Sequence, residues 1–181
     1  MGITLRNNTN YAAVFSVRQA DLVILNWRVL EANQLQEIKT GMPAMIQATT
    51  SLGNVDYSSE SMTLNHAAGY VAQLVQDIEK KTYQLNVFQI GNTEPNVVQL
   101  YKTCTPPVIF TLRCEEQFEQ TVIVDKSLVP ARLTTSGPYF IDIVVNGITI
   151  PTVSSELANP TITVITEVDN PEAGFYRVEV S

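Results

Sequence analysis

The chain has 181 residues, of which 45% are hydrophobic and only 16% charged, and a net charge of −7. That length suits one ordinary domain or two small ones; the apolar content excludes a disordered chain, and 17 Gly and Pro residues in all exclude a collagen-like or linker-dominated one. Val, Ile and Thr number 54 of the 181, and their stiff, branched side chains suit a pleated surface, so the expected class is a soluble all-β protein.

Taken in chain order, apolar residues recur with a period near two. Strands are expected at about 3–7, 12–19, 22–29, 35–39, 44–51, 61–65, 70–77 and 82–90, and then at about 97–103, 108–114, 120–125, 131–134, 139–145, 148–153, 161–168 and 174–180. Turn chemistry separates them at Asn7-Asn8-Thr9-Asn10, Gly41-Met42-Pro43, Pro106-Pro107, Ser136-Gly137-Pro138 and Asp169-Asn170-Pro171-Glu172. Asn146-Gly147 between apolar runs predicts a type I′ hairpin. A helix over 73–81 is the competing expectation for that stretch; its counterpart Thr166–Pro171 contains a proline and argues against it.

The list of strands repeats itself. At an offset of 95, Ala13-Val14-Phe15-Ser16-Val17-Arg18 falls on Val108-Ile109-Phe110-Thr111-Leu112-Arg113, and Pro43-Ala44-Met45-Ile46 falls on Pro138-Tyr139-Phe140-Ile141. With small shifts the series continues to Tyr83-Gln84-Leu85-Asn86-Val87 on Tyr176-Arg177-Val178-Glu179-Val180. Internal repetition of this kind predicts two tandem antiparallel β-sandwich domains related by duplication, 1–92 and 96–181, joined at Gly91-Asn92-Thr93-Glu94-Pro95. The halves differ in charge, −2 over 1–94 and −5 over 95–181. A doublet opening on Ile3-Thr4-Leu5-Arg6-Asn7-Asn8-Thr9 is loosely similar to small secreted toxin and lectin modules, and that resemblance implies no particular site residue.

Candidate chemistry is sparse. His66 is the sole histidine and stands near no nucleophile-elbow motif. Cys104 and Cys114 lie on either side of an extended segment, too far apart for a bridge, and two thiols with one distant histidine do not make a zinc site. Glu115, Glu116 and Glu119, and Asp169 with Glu172, lack calcium-loop spacing and read as solvated turns. No cofactor, metal site or catalytic residue is expected. Aromatic and polar residues in exposed loops are the ligand-binding candidates: Tyr11, Trp27, Arg28, Tyr57 and His66, with Asn26 beside them. Asn26, Trp27 and Arg28 have the make-up of a sugar-stacking platform, while the offset of 95 places Trp27 on Val122 and favours core packing for it.

These features predict a non-catalytic binding or interaction protein with a protein or carbohydrate partner, in a chain that can form homo-oligomers. A lectin-like binder, a toxin-like or pore-forming protein using the Ser/Thr-rich stretches 49–73 and 144–166, a structural component of a larger assembly, and a hydrolase with two distant carboxylates are the competing expectations. Nucleic-acid binding is disfavoured because there is no basic stripe. No apolar run approaches about 18 residues, so no transmembrane helix is expected. The first residues lack a basic segment followed by an apolar one. Cytoplasmic residence or release without a classical signal is therefore the expectation.

Overall fold

The structure is a computed structural model that describes residues 2–39, 43–92, 94–114, 118–167 and 175–181. Strands account for 67% of it and it contains no helix. In chain order they are β1 (Gly2–Asn8), β2 (Ala13–Gln19), β3 (Leu22–Leu30), β4 (Leu35–Lys39), β5 (Met45–Leu52), β6 (Val55–Ser58), β7 (Met62–Thr63), β8 (Ala68–Asp77), β9 (Thr82–Gly91), β10 (Val97–Lys102), β11 (Val108–Cys114), β12 (Phe118–Val124), β13 (Ala131–Thr134), β14 (Tyr139–Val145), β15 (Ile148–Ser155), β16 (Thr161–Thr166) and β17 (Tyr176–Val180). Nearly every one falls where the alternation predicts. β6 is additional, and the segment 73–81 is the end of β8 followed by a turn. The acidic residues Glu115, Glu116, Asp169 and Glu172 lie outside the described residues.

The chain divides into two compact units, one made of 1–42 with 137–181 and the other of 43–136. These are not the halves 1–92 and 96–181. Each half gives strands to both units, and the expected joint at 91–95 lies inside the second unit, between β9 and β10. The division between the units falls at 42–43 and at 136–137, and Pro43 and Pro138 beside the two crossings stand 95 residues apart.

Unit 1 holds the sheets β17-β16-β1-β4 and β15-β14-β2-β3; unit 2 holds β9-β8-β10-β13 and β6-β5-β11-β12, with β7 also on β5. Substituting each strand by its counterpart at the offset turns one pair of sheets into the other. The sheets are not all antiparallel. β1 runs parallel to β16, with Leu5 opposite Ile162, and β10 runs parallel to β8, with Leu100 opposite Tyr70. In both cases the parallel neighbour comes from the other half of the sequence.

Alternation explains the cores. Tyr139, Ile141, Ile143 and Val145 of β14 point inward with Phe15 and Val17 of β2, and Ile3, Leu5, Ile162 and Val164 meet them from the facing sheet of unit 1. In unit 2 the matching inward residues are Ile46, Ala48, Phe110 and Leu112, opposed by Tyr70, Ala72, Val98 and Leu100. One buried polar side chain occupies the same place in each half. Asn7 donates to the carbonyls of Tyr11, Leu30 and Glu31 at 2.7–3.0 Å, and Lys102 to those of Cys104, Thr105 and Pro106 at 2.9–3.1 Å. Lys102 secures the loop that follows β10, and Asn7 ties the loop after β1 to the end of β3, in both cases by satisfying backbone carbonyls.

Candidate functional site

β3 breaks the alternation that β2 and β14 of the same sheet keep. Residues 26–29 are all exposed, between buried Ile24 and buried Leu30. The cause is visible in the register with β2. Phe15 faces Arg28 and Val17 faces Leu25, so Ser16 alone opposes both Asn26 and Trp27; a second slip follows between Val17 and Arg18. Two extra residues on one strand are β-bulges, which bend the strand and re-aim its side chains. The Ser16 hydroxyl clasps the first bulge, accepting from the Trp27 N–H at 3.3 Å and donating to Asn26 Oδ1 at 3.4 Å. Trp27 has φ of 54°, a left-handed conformation that bulky residues rarely adopt.

The result is an indole 68% exposed, which overturns the core-packing expectation for Trp27. Val122 is a misleading guide. It faces Phe110 as Arg28 faces Phe15, and β11 and β12 pair without a slip. Val122 therefore corresponds to Arg28, and Trp27 is an insertion with no counterpart.

Beside the indole, the outward faces of β2, β3, β14 and β15 form a groove of about 470 Å³. Its floor is apolar, from Val14, Val23, Leu25 and Val144, and its polar groups are Ser16, Arg18, Asn26, Asp142 and Thr149. Both charged groups are held in place. The Arg18 guanidinium lies 4.7 Å from the centre of the Phe140 ring, and the Thr152 hydroxyl donates to Asp142 at 2.5 Å. An exposed aromatic platform with a cation, a carboxylate, an amide and hydroxyls around it can stack on an apolar ligand face and hydrogen-bond its rim.

The five sequence candidates are divided between the two units. Trp27 stands at the groove. Arg28 is its chain neighbour but turns away, donating to Gln36 Oε1 on the facing sheet at 2.8 Å. Tyr11, in the loop after β1, is 51% exposed. Tyr57 and His66 belong to unit 2. The Tyr57 ring meets Tyr83 edge-on at 6.1 Å and packs against the unit 2 core. His66 sits in the turn before β8, its carbonyl accepting from Thr135. Its Nδ1 is buried without a partner. Burial lowers its pKa from the usual 6.5, and a hydrogen bond to the Pro43 carbonyl works the other way. Sequence reasoning missed Ser16, Arg18 and Asp142, which alternate outward from strands that carry no motif. Their only signal is position within an apolar-polar alternation shared by every strand here.

The corresponding face of unit 2 has a hollow of about 690 Å³ lined by Ser and Thr hydroxyls, Asp56, Asp125, Ile109 and Ile123, with no aromatic residue. Among the described residues, no group of three or more His, Cys, Asp or Glu side chains is placed to hold a metal ion, and no helix is long and apolar enough to cross a membrane. Comparison with known proteins brings no match: no family model fits the chain, and no curated protein or solved structure is similar to it.

Proposed function

We propose that this is a non-catalytic carbohydrate-binding protein whose ligand stacks on Trp27 in the groove of unit 1. The observation that carries the reading is the double bulge that turns a large aromatic outward at a strained backbone angle, beside a groove already furnished with polar groups. Strain of this kind persists where the surrounding structure enforces it, and it clusters at functional sites. The apolar face of a sugar ring suits the indole, while Arg18, Asn26 and Asp142 suit its hydroxyls. Unit 2 has the same sheet without the bulge and without the aromatic, so one sugar site per chain is expected.

The same comparison supports descent from a single duplicated β-sandwich whose two copies have exchanged halves. The matched strand orders, the matched crossovers and the paired anchors Asn7 and Lys102 all follow from such a duplication.

Trp27 is the sole tryptophan, so tryptophan emission reports on this site alone. Titration with oligosaccharides chosen from a glycan array should shift and quench that emission. Trp27→Ala should weaken binding by about 2 kcal/mol, roughly thirtyfold, and leave the thermal midpoint unchanged. An array on which the protein binds no glycan would overturn the proposal.

A further inference from the structure

Among the described residues the four sheet paths end in eight edge strands, with the two-residue β7 beside β6 on β5, and an open edge presents unpaired N–H and C=O groups that invite pairing with another chain. Seven of the eight carry a device that discourages this. β17 has Arg177 and Glu179, β4 has Glu37 and Lys39, β13 has Arg132, β12 has Glu119 and β6 has Asp56. β15 contains Pro151, and β3 has Arg28 and its bulges. β9 has none of these. Its ten residues, Thr82 to Gly91, include no charge and no proline, and its register with β8 is unbroken from end to end.

Its counterpart sharpens the contrast. β17 is five residues long, and its Arg177 is ion-paired to Glu167 and Glu179. β9 is twice that length, about 33 Å at the usual rise. It exposes Tyr83, Phe88 and Ile90 at 37%, 49% and 40%. Ile90 lies over Gly69 on the neighbouring strand, where a Cβ would come within 2.7 Å of it, so the apolar surface runs from the edge onto the sheet.

We infer that β9 is a homodimerisation edge, where two copies of the chain pair antiparallel about a twofold axis and join two β13-β10-β8-β9 sheets into one of eight strands. Charge and backbone together select the occupant. A chain of net charge −7 repels its own copies; β9 and β15 are edges along which two copies oppose no like charges, and of the two only β9 lacks a proline and keeps every ladder donor. A partner recognised by charge would find nothing on β9 to read. Antiparallel self-pairing also lets each row of backbone donors and acceptors be satisfied by its identical partner, and it closes at two chains because each chain has one such edge. The inference does not depend on the carbohydrate reading.

Sedimentation of the full chain from about 1 μM to about 1 mM, spanning weak to moderate affinities, tests it. The expected mass is twice the 20.0 kDa of one chain. Phe88→Lys and Gln84→Lys place a charge on exposed positions of β9 and should each abolish the dimer without changing the circular dichroism or the thermal midpoint. Gln84→Lys exchanges one exposed polar side chain for another and decides the matter if Phe88→Lys does not fold. Hydrogen exchange supplies a second readout, because alternate β9 amides of the unaltered chain should be protected when concentrated and lose protection on dilution. A monomer at every concentration, or an oligomer that survives in a folded variant, would overturn the inference.

Discussion

Lys102 and Asn7 show how one position solves one problem with two chemistries. Both are fully buried, and both donate to three backbone carbonyls at a strand end. The ammonium of Lys102 has three donors and uses all of them. Lys102→Met keeps the aliphatic stem and removes the ammonium from the Thr105 and Pro106 carbonyls, while Ser127 still donates to that of Cys104. It should cost about 1–3 kcal/mol for each group left both buried and unsatisfied, read as a lower midpoint in chemical denaturation. His66 makes a different residue-level prediction. Burial lowers its pKa from 6.5, so the unfolded chain takes up a proton before the folded one does. The stability it contributes is present above pH 6.5 and is lost as pH falls through the lower folded value. Denaturation midpoints should decline from pH 7 to pH 5.5, and His66→Gln should flatten that decline. None of this could be read beforehand: a lysine in an alternating strand has the same sequence signature whether its end is buried or wet.

Strands and turns were the legible elements. The Asn146-Gly147 turn has φ of 49° and 77°, the paired positive angles of a type I′ hairpin. A Cβ at Gly147 would meet no atom within 4 Å, so Gly147→Ala isolates backbone strain from crowding. It should cost about 1 kcal/mol, read as a small fall in the thermal midpoint with the fold intact. β3 was legible only in part. Its apolar run announced a strand, yet the bulges that expose Trp27 come from a two-residue mismatch with β2, which exists only once the strands are paired. A gapless comparison with the other half therefore placed the one tryptophan in a core it does not enter.

For the molecule as a whole, the sequence halves are not the folding units. Unit 2 is one continuous segment, 43–136, whereas unit 1 is assembled from both ends of the chain. The fragment 43–136 holds every strand of its two sheets and should fold alone, with dispersed amide resonances and a cooperative thermal transition. The fragment 1–92 holds β1 to β4 without the four strands that complete their sheets, and the same spectra should show its first 42 residues unfolded. A folded fragment 1–92 with both sheets formed would refute this division. The charge asymmetry of the halves also dissolves. Unit 1 carries nine acids against five bases (−4) and unit 2 nine against six (−3), so surface charge does not distinguish the units as the sequence division suggested.

What the sequence determined by itself is local. Stiff branched side chains at period two, punctuated by Gly, Pro and Asn, set the strands, their inward faces and the turns between them. The repeat at an offset of 95 set the correspondence of strands as well. Partner choice was decided only in three dimensions. Ile3 and Leu5 of β1 have the same inward pattern as Val98 and Leu100 of β10, so either strand matches the apolar requirements of either sheet. β1 lies beside β16 and β10 beside β8. A pattern shared by two copies specifies what a neighbour must look like, and which copy supplies it depends on where the chain crosses, a non-local property that no window of residues contains.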